Sequence, residues 1–105
     1  MRRGTAKLAQ YQVMYWKDIP AQVKASDANG STAKVMLPAR FSESIDAAAM
    51  ADGSTGSDAY MEGWQWSKAE ERDGLAQEVA DQVAAELDVQ YPKDKLIEMI
   101  KAHKA

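Results

Sequence analysis

Two alternating runs separated by only two residues constrain this chain more than any other feature. Residues 8–16, LAQYQVMYW, are rich in β-formers, with Tyr11, Val13 and Tyr15 on one face and Gln12, Met14 and Trp16 on the other. Residues 19–26 alternate again, setting Ile19, Ala21, Val23 and Ala25 against Gln22, Lys24 and Ser26. Pro20 has no ladder donor, so it belongs at the start of a strand or on an edge. Lys17 and Asp18 leave room for nothing but a tight reversal, and the stretch reads as a β-hairpin.

The hairpin is followed by a turn signal at Asp27-Ala28-Asn29-Gly30 and a short extended piece near 34–37. Pro38 then opens a helix, where its missing N–H costs nothing, and Phe41, Ile45, Ala48 and Ala49 recur at helical spacing. That helix ends near Asp52-Gly53. Residues 59–67, AYMEGWQWS, read as a third strand with Tyr60, Glu62, Trp64 and Trp66 on one face. Lys68–Asp73 reads as a charged connector, with Asp73 capping a helix over 74–90 whose stripe is Leu75, Val79, Val83 and Leu87. Tyr91-Pro92 ends it, and a last helix from Asp94 to Ala102 presents Leu96, Ile97 and Ile100. The order β-β-α-β-α-α predicts a single α+β domain over residues 1–105, a small antiparallel sheet with helices packed on one face.

Composition removes several chemistries. The 105 residues suit one compact core and leave little room for a deep, multi-part active site. There is no cysteine, which excludes disulfides and thiolate chemistry, and the single histidine, His103, reads as a solvated tail residue. Neither a catalytic triad nor a multi-histidine metal centre can be assembled from it, so no cofactor or transition metal is expected. No apolar run approaches a membrane span, and the N-terminal MRR leads into a strand as a short basic tail, so the expected location is cytoplasmic. Charge is segregated: residues 1–40 carry seven basic and two acidic side chains, residues 41–92 two basic and twelve acidic. Solvated outer faces of helices account for most of the acidic excess.

The candidate functional residues lie around the hairpin and the aromatic strands. Arg40 falls in the first turn of a helix, where the dipole disfavours a cation, so a partner is expected there; a pair with Asp18 would hold the hairpin against the helix. Tyr60, Trp64 and Trp66 near Lys17 and Lys24 could stack a flat ligand, although rings at strand spacing more often fill a small core.

Several of these segments together resemble a known family. Tyr15 to Val23 (YWKDIPAQV), Leu37-Pro38-Ala39-Arg40-Phe41, Ile45 to Ala48, and Ser57 to Tyr60 with Trp64 resemble the conserved virulence factor domain, and the resemblance spans nearly the whole chain. It implies a bacterial module found alone or beside NifU-like segments and HEAT-like repeats, company that suits an adaptor or accessory role. Stand-alone members also point towards one-carbon and corrinoid methyl transfer.

Three functions compete on this reading. The first is a non-catalytic accessory protein that binds another protein, with Trp16, Lys17, Asp18, Gln22, Arg40, Tyr60 and Trp64 as contact residues. The second is a small-molecule anion site made by the Lys17-Asp18 turn, Gln22 and Arg40. The third, single-stranded nucleic acid on the aromatic strand face, is opposed by the net charge of −3.

Overall fold

A computed structural model of the chain describes residues 8–56 and 58–103; the expected basic tail at residues 1–7 lies outside them. Strands β1 (Leu8–Trp16), β2 (Ile19–Asp27) and β3 (Thr32–Met36) are followed by helices α1 (Ala39–Ala51) and α2 (Asp58–Glu62). Short strands β4 (Trp64–Trp66) and β5 (Glu70–Asp73) come next, then helices α3 (Ala76–Gln90) and α4 (Lys93–Ala102). The α+β class and the antiparallel sheet are as the sequence predicts. The order β-β-β-α-α-β-β-α-α is longer, because three short strands join the sheet that periodicity read as one strand and two connecting pieces.

The hairpin builds the centre. β1 pairs along its length with β2, and a bulge follows Met14: Met14 faces Gln22 while Tyr15 faces Pro20, so Ala21 is the extra residue. Its carbonyl accepts from Leu37 N at 3.1 Å, which carries the chain from β3 towards α1. β3 covers the outer side of β2 in register from Gln22↔Met36 to Ser26↔Thr32. The other side of β1 is shared: β4 pairs with Met14–Trp16 and β5 with Leu8–Tyr11. Between them Ser67 bridges the gap, its N–H donating to Val13 O at 2.8 Å and its hydroxyl accepting from Val13 N at 2.9 Å.

Two expectations about this region are corrected. Residues 59–67 are not one strand: Asp58–Glu62 form a short helix and only Trp64–Trp66 are extended. Ala59, Met61 and Glu62 favour helix, and Asp58 suits its first turn. The charged connector is in part a strand, since Glu70–Asp73 has poor β propensity but meets an otherwise unpaired β1 edge.

Helix boundaries follow local chemistry. Pro38 is the N-cap of α1, one residue before the first helical position, and Phe41, Ile45, Ala48 and Ala49 are buried as predicted. The helix closes through Ser54 N to Ala49 O at 2.9 Å, with Gly53 at φ +79°, a left-handed conformation that glycine adopts without steric penalty. Asp73 does not cap α3. The helix starts at Ala76, whose N–H donates to Asp27 of the β2–β3 turn at 2.9 Å, and Glu78 accepts from Leu75 N at 3.0 Å. Consequently Leu75 stands 44% exposed, outside the stripe of buried Val79, Val83 and Leu87.

The core lies between these layers. α3 packs on β1, β2 and β3, while α1 packs on β2 and α4. Trp16, Phe41, Ile19, Ile45, Leu96, Val23 and Val79 are its largest fully buried side chains, and full burial of a Val, Leu, Ile or Phe side chain contributes about 1.5–3 kcal/mol. Of the expected α4 stripe, Leu96 is buried but Ile97 is 40% exposed.

Candidate functional site

The two-residue turn of the hairpin is the meeting point of four segments. Lys17 adopts φ +54°, and its N–H donates to Gly63 O at 2.8 Å, which ties the turn to the junction of α2 and β4. Trp16, fully buried, donates its indole N–H to Tyr60 O at 2.9 Å. Gly63 has to be small here, because a Cβ would lie 2.6 Å from the Trp16 indole nitrogen. Tyr60 lies 5.8 Å from the Trp16 ring and meets Trp64 edge-on at 6.1 Å. The expectation that the aromatics form core holds for Trp16, while Tyr60 and Trp64 pack against that core partly buried.

Charge pairs close over the indole. Lys17 Nζ reaches Asp52 Oδ2 at 2.8 Å and sits 4.9 Å from the Trp16 ring centroid. Asp52, at the C-cap of α1, also accepts from Ser54 N at 3.0 Å and from the Ser54 hydroxyl. The Lys17 and Ser54 hydrogen bonds hold the Asp52 carboxyl well below the usual carboxylate range. His103 Nε2 lies 2.8 Å from Asp18 Oδ1, and Nδ1 lies 3.3 Å from Asp52 Oδ2.

This overturns the reading of His103 as a solvated tail residue. Its side chain is only 14% exposed, and the ring packs 5.7 Å from that of Trp16. The imidazole is hydrogen-bonded to Asp18 through Nε2, with the Asp52 carboxylate beside Nδ1. Nothing in the local sequence signals this role, because the partners lie fifty-one and eighty-five residues away, at Asp52 and Asp18.

The expected Asp18–Arg40 pair is likewise replaced. Arg40 binds Asp88 Oδ1 at 2.5 Å, Asp88 O at 2.7 Å and Tyr91 O at 3.1 Å. Its guanidinium therefore caps the carbonyl end of α3, where the dipole favours a cation, offsetting its position in the first turn of α1. The length of α1 separates it from the Lys17–Asp52 pair by about 18 Å at 1.5 Å per residue. Gln22 lies in mid-sheet between Met14 and Met36. Trp16, Lys17, Asp18, Tyr60 and Trp64 are thus brought together; Gln22 and Arg40 are not with them.

Chemically, the hairpin tip is a set of mutually satisfied groups joining β1, α1, α2 and α4. Among the described residues no cluster of three or more His, Asp or Glu is placed to hold a metal ion. Nor is any helix among them long and apolar enough to cross a membrane.

These contacts predict acid lability. Asp52, Asp27 and Glu86 all have lowered carboxyl pKa values, Asp27 chiefly through the Ala76 N–H and Glu86 through Arg72 at 2.7 Å. A depressed folded-state value stabilises above the unfolded pKa, and the gain is lost as pH falls through the folded one. The melting temperature is expected to hold at neutral pH and fall once pH drops below about 4. A melting temperature unchanged down to that range and below would contradict these three assignments.

Fold and tip together define a small α+β domain with a mixed-length antiparallel sheet and an interlocked hairpin. The chain belongs to the virulence factor family, whose model matches residues 14–100. No curated protein and no solved structure matches it.

Proposed function

We propose that the chain is a non-catalytic accessory module that works by binding another protein at the surface formed by the end of α1 and by α2, beside the hairpin tip. The observation that carries this reading is the apolar surface there. Met50 and Met61 are each 68% exposed, and a hollow of about 410 Å³ is lined by Asp46, Ala49, Met50, Thr55, Gly56 and Tyr60. Methionine is polarizable and adapts its shape to a partner, and an aromatic-floored hollow accepts an apolar anchor side chain. Asp46 lines it and α2 carries exposed Asp58 and Glu62, so the partner surface carries lysine or arginine about its anchor.

The titratable groups of the tip support a structural rather than a catalytic role for it. Lys17, Asp18, Asp52 and His103 are spent on one another, which ties the hairpin turn to the ends of α1 and α4 instead of leaving an unpaired acid or base. A cytoplasmic site of action rests on the sequence composition, and any role beside one-carbon or corrinoid methyl transfer on the family resemblance.

A photo-crosslinking residue placed at Met50 in the native cell tests the proposal, with Val89, 80% exposed on α3, as the control position. One discrete adduct is expected from position 50 and none from 89, and Met61→Glu should abolish it while leaving the melting temperature unchanged. Equal adducts from both positions, or an adduct indifferent to Met61→Glu, would refute the assignment.

A further inference from the structure

The sheet carries a second feature on the face turned away from α3. Strand register places Gln12, Lys24 and Lys34 in one row across β1, β2 and β3, and Gln10, Ser26 and Thr32 in the next. These six residues line an open groove of about 330 Å³. Lys24 and Lys34 are direct cross-strand neighbours, an arrangement that destabilises a sheet when both carry the same charge.

The second row continues to Glu71 on β5, opposite Gln10, but among the described residues no ion pair joins it to either lysine. No carboxylate lines the groove, and neither lysine takes part in an ion pair among the described residues. This is so although the chain has sixteen acidic side chains against thirteen basic ones. Lys24 is instead held in place by the Trp66 ring, with Nζ 4.2 Å from its centroid, so part of the entropy cost of using it is already met. Gln12 is likewise fixed, donating Nε2–H to Ser67 O at 2.9 Å. The Ser26 and Thr32 hydroxyls stand in the adjoining row as donors.

We propose that this face binds a small oxyanion bearing two negative charges, a phosphate monoester or a dicarboxylate, between the Lys24 and Lys34 ammonium groups. The Ser26 and Thr32 hydroxyls donate to its remaining oxygens. Two ammonium groups match two charges, and a groove near 330 Å³ falls at the small end of ligand sites. The site is separate from the methionine surface on α1 and α2, and neither assignment depends on the other.

Amide-resolved NMR titration with inorganic phosphate, and in parallel with succinate, both at constant ionic strength, tests this. Shifts are expected at residues 10–12, 24–26 and 32–34, and Lys24→Gln or Lys34→Gln should weaken binding at least about tenfold, as loss of one charge-assisted contact requires. Lys34→Gln should also melt no lower than the parent without ligand, because it removes the cross-strand repulsion; lost binding then does not reflect unfolding. Tighter binding of phosphate assigns a phosphate ester, and tighter binding of succinate a dicarboxylate. No shift with either anion, shifts centred elsewhere, or binding undiminished in both variants would overturn the site. So would an oligothymidylate that moves the same amides at lower concentration than phosphate does.

Discussion

Trp16→Ala is expected to lower stability by roughly 3–5 kcal/mol, the range for truncating a buried aromatic. Three losses coincide. The ring is fully buried, so its removal opens a cavity at the hairpin end of the core. The Tyr60 carbonyl loses its 2.9 Å indole donor. His103 and Tyr60 each lose a ring neighbour within 6 Å of their own centroids. Against a total stability of about 5–15 kcal/mol, the domain becomes marginal, and its melting temperature should fall by on the order of 15–30 °C. Trp16→Phe separates the terms: it keeps most of the packing but leaves the carbonyl without its donor, so about 1–3 kcal/mol should be lost. Thermal melts of the two variants check both values. A loss under about 1 kcal/mol for Trp16→Ala would mean that the tip does not hold the four segments together.

Val83→Asp is expected to unfold the domain at ordinary temperature, at a cost of about 4 kcal/mol or more. Val83 is 4% exposed in the middle of α3, between Val79 and Leu87 on the face that meets β1, β2 and β3. A carboxylate there has neither water nor a partner. Gln82→Asp, one residue earlier and exposed, makes the same change of charge and should shift stability by no more than about 0.5 kcal/mol. Circular dichroism of the pair decides it; similar melts for both variants would place the buried face of α3 elsewhere.

The parts of the fold legible in the sequence are those where one physical signal acts over a long enough run. The alternating runs 8–16 and 19–26 on either side of Lys17-Asp18 predict the hairpin, and the structure pairs those runs with one bulge. The stripes on α1 and α3 predict buried Phe41, Ile45, Ala48, Val79, Val83 and Leu87, because helical spacing gathers them on one side wherever the partner lies. Short elements give no such redundancy. In AYMEGWQWS, period two fits as well as a turn of helix followed by three extended residues, and the choice is made by Trp16, whose indole needs the Tyr60 carbonyl and whose ring leaves no space for a Cβ at Gly63. β5 has almost no propensity of its own and exists because β1 offers an open edge.

The sequence by itself determined the α+β class, the hairpin with its two-residue turn, the buried faces of α1 and α3, and the absence of thiol chemistry. All of these follow from local periodicity, turn chemistry or residue type. Only the tertiary structure decided which charges meet. Arg40 turned from Asp18 to the end of α3, Asp27 rather than Asp73 capped that helix, and His103 left the expected tail for the space between Asp18 and Asp52. Lys24 and Lys34 came to face each other across β2 and β3. Ion pairs and caps between segments far apart in the chain depend on angles and separations that packing sets, and no run of residues encodes those separately from the fold.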